Sequence, residues 1–178
     1  MNPEEIYIRQ FKDCDLFGLT ELLNDLENQE LVGGSLEPMN EAEVLNWLNL
    51  KRSDEGTNIF AIICQDEFAG YVLITSIDRI NGHAVFGINI SRLFQGKGVG
   101  AIAMKHVHDF CKDRLSLRKL VLYVREDNQR DIYLYKRLGY KSVGSLLNHI
   151  KANESYIANN VMEVFPVSYT HLTLPTSG

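Results

Sequence analysis

The 178 residues carry 45% hydrophobic and 23% charged side chains, the size and balance of one globular domain with a sizeable core. A formal net charge of -5 argues against a nucleic-acid partner held by a basic surface. No apolar run reaches the length of a membrane span, and the start Met1–Glu5 lacks the basic residues of a signal peptide. Cys14, Cys64 and Cys111 are odd in number and widely spaced, which suggests neither a disulfide framework nor a metal knuckle. All three are expected as small buried hydrophobes in a protein with a cytoplasmic address and no membrane partner.

Ile6 and Ile8 alternate with polar neighbours and predict a short first strand. Asp13 or Asp15 can cap a following helix whose apolar face runs through Leu16, Leu19, Leu22, Leu23 and Leu26. The stretch from Val32 to Pro38 breaks it. Asn40 and Glu43 form a capping-box pattern opening a second helix, with Val44, Trp47 and Leu48 inward. Strand patterns follow at Asn58–Cys64, Phe68–Thr75 and His83–Ile90, the last entered through an Asn81-Gly82 turn.

After the third of these strands comes Gln95-Gly96-Lys97-Gly98-Val99-Gly100-Ala101, then apolar residues at Val99, Ala103, Val107, Phe110 and Cys111 with helical spacing. A glycine-rich turn at the start of a helix presents unpaired backbone N–H groups at the positive end of the helix dipole, a site for phosphate oxygens. The order Lys97-Gly98 lacks the Ser or Thr of a magnesium-holding P-loop. The G-x-G-x-G spacing, past the midpoint of the chain, does not match the dinucleotide fingerprint. Lys119–Val124 reads as another strand, and Asn128 caps a short helix with Ile132, Leu134, Tyr135 and Leu138 on its apolar side. Gly139 is a left-handed stop for that helix. Strands at Ser142–Ile150 and Tyr156–Phe165 end the domain, assigned to residues 1–166. Residues 167–178 begin VSYTHLTLPT, which resembles the translation of a sequencing-library adapter, and are assigned to a non-native tail.

The Gln-x-x-Gly-x-Gly loop resembles the pyrophosphate loop of the GNAT acyltransferases. The run Asn128-x-x-Asp131-x-x-x-Tyr135-x-x-x-Gly139-Tyr140 resembles that family's second motif, with Asp131 where alanine is usual. The ending from Gly144 to Met162 is similar to the closing hairpin of the branch with ribosomal-protein alanine and spermidine acetyltransferases. The resemblance implies an α/β fold, a mixed and mostly antiparallel central sheet with a splayed parallel strand pair and helices on both faces. It implies an N-acetyltransferase that uses acetyl-CoA as acetyl donor, holds no metal, and attacks the thioester directly with a primary amine. That amine is a small molecule or a peptide or protein N-terminus, and a homodimer is compatible with it.

By the same resemblance, backbone groups of Ile88, Asn89 and Ile90 pair with the pantetheine arm, and amides from Gln95, Gly96, Lys97, Gly98, Val99, Gly100 and Ala101 take the pyrophosphate. Asn128 steadies the cofactor arm, and Tyr135 protonates the departing thiolate. Read without a ligand, Asn128 is a helix cap, Tyr135 an amphipathic core residue and Lys97 a solvated charge. Tyr133 leaves the helix on another face, and His106 and His108 cannot share one. The strand glutamate that serves many relatives as general base has no counterpart here, since Val85 occupies its place. That gap favours an α-amino group (pKa about 7.7–8.0) slightly over a lysine-type amine, and keeps a non-catalytic acetyl-CoA sensor as the alternative. Glu37, Glu41, Glu43 and Asp78 are expected around the mouth, as a field that steers a polyamine or as ordinary solvated surface.

Overall fold

The segment Asn58–Cys64 (β2) is apolar almost throughout because helices cover both of its faces. Ile59, Ala61 and Ile63 face one hydrophobic layer, and Phe60, Ile62 and Cys64 face the other. A computed structural model describes residues 5–34, 36–152 and 154–166; the tail assigned from Val167 onward lies outside them.

Among the described residues, β2 is one of seven strands in a single sheet. The others are Ile6–Arg9 (β1), Glu67–Asp78 (β3), His83–Ile90 (β4), Lys119–Arg125 (β5), Lys141–Ala152 (β6) and Ser155–Val164 (β7). Their order is β1-β2-β3-β4-β5-β7-β6, antiparallel except for β4 against β5. Leu16–Leu23 (α1) and Glu41–Ser53 (α3) pack on one face through Leu19, Leu22, Val44 and Leu48. Val99–Asp113 (α4) and Gln129–Arg137 (α5) pack on the other through Val99, Ala103, Val107, Ile132 and Tyr135. The mixed sheet, its parallel pair and the two helical layers agree with the expected fold.

Three local expectations need correction. The helix expected to run on through Leu26 ends at Leu23, and Leu26–Val32 forms a helix of its own (α2). Asp25 starts it, its carboxylate accepting a hydrogen bond from Asn28 N–H, so Leu26 is 52% exposed instead of continuing the buried stripe. Cys64 and Cys111 are buried as expected, whereas Cys14 is exposed.

Neither Asp13 nor Asp15 caps α1 through its side chain. Asp15 instead accepts two hydrogen bonds from the Arg9 guanidinium, at 2.6 and 2.9 Å, and one from Lys12 N–H at 2.7 Å. Burial opposes the Asp15 charge, but these bonds outweigh it and hold the carboxyl below its ordinary range. A lowered folded-state pKa contributes stability that is complete above the unfolded value of about 3.9 and is lost as pH falls below it. Asp15→Asn should therefore destabilise the protein at neutral pH by about 1–3 kcal/mol. In urea titrations the gap to the wild type should close progressively below about pH 3.9.

Candidate active site

Strands β4 and β5 pair only at His83 with Lys119, Ala84 with Leu120, and Val85 with Val121. Beyond that rung they diverge, β4 staying with β3 and β5 with β7. Ser91 N–H donates to Ala69 O at 2.9 Å. Hydrogen-bonded pairs alternate along an antiparallel ladder, so Gly87 and Asn89 turn their backbone groups toward β3. Ile88 and Ile90 turn theirs into the opening. The Ile90 carbonyl is taken, accepting from Gln95 Nε2 at 2.8 Å and from Asn28 Nδ2 at 3.3 Å. Ile88 has no β5 residue opposite it, and its peptide groups are the ones left facing the gap.

The glycine-rich loop closes one end of this opening. Gly96 and Gly98 adopt left-handed backbone angles, φ +72° and +82°, and the space where a Cβ would sit is empty to 4 Å at both. Gly98 is the N-cap of α4, and Ile102 N–H makes the first bond of the helix, to Gly98 O at 3.2 Å. The N–H groups of Val99, Gly100 and Ala101 precede that bond and are the unpaired donors of the helix start. The Val99 side chain lies in the core, so only its backbone belongs to the site. Lys97 extends over the Phe94 ring, 5.8 Å from its centroid, and does not line the cavity. The Gln95 side chain acts as a brace, reaching Ile90 O, Asn28 Oδ1 at 3.3 Å and Arg130 Nη1 at 3.0 Å.

A cavity of about 400 Å³ runs between this loop, β4 and α5, and a second of about 180 Å³ lies between the diverging strands beside α2. Leu31, Val32, Ile88, Asn128, Asp131 and Tyr135 line both. Tyr135 is 7% exposed, with its ring centroid 5.7 Å from that of Tyr140. Among the described residues its hydroxyl has no hydrogen-bond partner. Burial pushes the phenol upward, with the Asp131 charge adding to the shift, so it stays protonated at neutral pH. Asn128 is a helix cap as well as a lining residue. Its Oδ1 accepts from Asp131 N–H at 3.2 Å and its Nδ2 donates to Asp131 Oδ2 at 2.9 Å. Tyr133, at the rim, is 65% exposed. Asn89 lies outside the cavity: its side chain accepts a hydrogen bond from Asn28 Nδ2 at 2.6 Å.

Among the residues of the opening that sequence does not single out are Asn28, Arg125 and, in its role as a lining group, Asp131. The buried Arg125 guanidinium pairs with both Asp127 oxygens, at 3.0 and 2.8 Å, and donates to the Glu30 carbonyl at 2.8 Å, fastening α2 to β5. The acids expected at the mouth are elsewhere. Asp78 sits 3.7 Å from His83 at the closed end of the strand pair, and Glu43 is spent in the Asn40 capping box. None of Glu37, Glu41, Glu43 and Asp78 lines either cavity. Among the described residues, Asp131 of α5 is the acid that lines the cavities, while at the start of α2 Glu27 and the N-cap Asp25 pair with Arg92. His106 binds Ile6 O and His108 binds the Tyr140 hydroxyl, each at 3.0 Å. Among the described residues no cluster of three or more His, Cys, Asp or Glu could hold a metal.

A splayed parallel pair with a glycine loop at the head of the next helix defines a coenzyme-binding acyltransferase architecture. The sequence profile of the Acetyltransferase (GNAT) family matches residues 19–140, and the chain belongs to that family. It is similar to the spermidine N(1)-acetyltransferase of Escherichia coli K12, 34% identical over 103 residues that make up 58% of this chain and 55% of that protein. It is also similar to the uncharacterized N-acetyltransferase p20 of Bacillus licheniformis, 30% identical over 62% of this chain and 61% of that one. The chain thus spans little more than half the length of these curated relatives. The crystal structure of a Vibrio cholerae spermidine N-acetyltransferase in complex with CoA and spermine has the same fold. Its TM-score is 0.86 over 94% of this chain and 99% of that one, at 23% identity.

The loop geometry separates two glycines. Gly98→Val forces a branched side chain into a left-handed position at a cost of about 1–2 kcal/mol or more. At Gly100 the backbone is helical, and an added Cβ would lie 3.6 Å from Leu134 Cδ2. Gly100→Val should keep the helix and obstruct the cavity. Both variants should lose acetyl-CoA binding in calorimetric titration, and only Gly98→Val should also lower the thermal midpoint.

Proposed function

We propose that this chain is an acetyl-CoA-dependent N-acetyltransferase whose acceptor is a small polyamine. The observation that carries the reading is the meeting of the two cavities at Tyr135 and Ile88. The larger cavity suits coenzyme A, with unpaired amides of the α4 start and open space beside Gly96 and Gly98 at one end. The open edge of β4 at Ile88 suits an extended amide-bearing arm. When bound there, the thioester supplies the acetyl group. The Ile88 N–H holds the carbonyl oxygen as charge develops on it, and Tyr135 delivers its proton to the leaving sulfur.

The smaller cavity suits one amine end of an elongated acceptor, with the remainder passing the exposed Glu27 and the half-buried Glu30 of α2. Those acids and the net charge of -5 attract a polycation. The spermidine acetyltransferases among the relatives favour the same choice over a protein N-terminus. A thiol-release assay should show saturable turnover with spermidine and spermine, and buffer-level rates with alanine- and serine-ended peptides. The opposite ranking would replace polyamine by peptide. Acetyl-CoA binding without thiol release from any amine would make the protein a sensor.

Tyr135→Phe removes only the hydroxyl, so acetyl-CoA affinity should hold while kcat falls on the order of 10²- to 10⁴-fold, as general-acid loss does. Tyr133→Phe should behave as wild type. For the assembly we propose a homodimer, since among the described residues β6 is an edge strand paired only with β7 and exposes Val143, Leu146 and Leu147. Light scattering that gives the mass of one chain would remove it.

A further inference from the structure

We infer that Asp131 receives the ammonium group of the acceptor and takes its proton, doing the work for which no carboxylate stands at Val85. This rests on the acetyltransferase reading above. Val85 lies on the last paired rung of β4 and β5 and lines neither cavity. Among the described residues, Asp131 is the one carboxylate that lines either of them, and it lines both. It precedes Tyr135 by four positions on α5, which puts the two side chains on one helix face. Its charge acts on the Tyr135 phenol, so the proton acceptor and the proton donor of the reaction face the same small volume.

Other nearby acids are engaged. Glu126 Oε1 accepts Ala158 N–H at 3.1 Å, and Asp127 clamps Arg125. Asp131 is oriented by Asn128, through Oδ2, and its Oδ1 lies 3.6 Å from Arg130 Nε, a solvent-exposed contact of little strength. The charged or titratable groups around it are Arg130 and the neutral phenol of Tyr135 on α5, Arg125 of β5 in the same compartment, and Glu30 of α2 beyond that arginine.

In the step, one proton passes from the ammonium to the Asp131 carboxylate, which holds it while the acetyl group moves and only then gives it to solvent. The freed nitrogen lone pair forms the bond to the acetyl carbon, and the carbon–sulfur bond breaks with its electron pair on sulfur. Sulfur takes the Tyr135 proton. The remaining surplus N–H proton returns to the phenolate, leaving amide, thiol and one proton released.

The test is Asp131→Asn and Asp131→Ala, assayed with spermidine from about pH 6 to about pH 9, below the range where a primary amine is mostly neutral. Alanine is the residue the family pattern has at this place, so the fold and the acetyl-CoA affinity should be kept, the latter to within about twofold by calorimetry. kcat/KM should fall on the order of 10²- to 10⁴-fold at neutral pH. Wild-type kcat/KM should be level, because the cationic amine is used as it arrives. The variants must wait for free amine, so theirs should climb about tenfold per pH unit. Variants within about twofold of an active wild type overturn the inference alone. So does a loss of rate that keeps the wild-type pH profile, since a carboxylate that merely orients gives that result. A wild type inactive on every amine overturns the acetyltransferase reading and this inference with it.

Discussion

The unpaired edge of β4 governs the rest of the molecule. Backbone N–H and C=O groups must find partners, and a strand abandoned by its neighbour halfway along exposes a row of them. Here β5 leaves after Val85, and the deficit is met only in part. At Ile90 the chain supplies its own donors, the carboxamides of Asn28 and Gln95, one from α2 and one from the glycine loop. At Ile88 it supplies none from β5, so the peptide groups there stay open to the cavity. The same carboxamides bind each other, and Gln95 also accepts from Arg130 of α5. One strand edge thus fixes the helix, the loop and the motif that surround the cavity.

Behind Tyr135 the wall is made neutral. His108 is fully buried against the Tyr140 hydroxyl, and burial lowers its pKa to about 4. It carries no charge at neutral pH, so the phenol meets a neutral interior on one side and the Asp131 charge on the other. Both the loss of hydration and the neighbouring negative charge disfavour phenolate, and Tyr135 stays protonated. The buried Cys111 thiol, pushed up to about 12, is likewise inert.

Much of this is written locally in the sequence. β4, the loop and α4 follow from alternation, glycines and a helical apolar stripe, and Asn128 and Asn40 cap the helices their Asx patterns announce. What failed to show depends on distant chain. Leu26 continues the spacing of Leu22 and Leu23, so periodicity alone carries one helix past Asp25; the Asp25 cap breaks it, and Leu26 turns to solvent. Asn24-Asp25, two helix-breaking residues together, was the available signal. Asp78 reads as a mouth acid only until the direction of β4 is known, because it sits where the strands are still paired. Asn28 and Arg125 have no sequence signature in this role, since the bonds by which they tie α2 to the sheet, Asn28 to Asn89 and Arg125 to Glu30, join residues 61 and 95 positions apart. The Asp131 substitution was visible, but its meaning depends on the two cavities that meet beside it.

Those cavities share α2 as a wall, and this has an energetic consequence. A helix of seven residues is marginal on its own, so its place is set by what holds its ends. At the start, Asp25 and Glu27 pair with Arg92 and Asn28 reaches Asn89 and Ile90; at the end, Arg125 takes the Glu30 carbonyl. The first set belongs to the loop side, the second to β5 beside the smaller cavity. Leu31 and Val32, which follow, form part of both linings. The two cavities are therefore kept in register by one short helix clamped from both sides, and its left-handed end at Gly33 keeps it from extending across the gap.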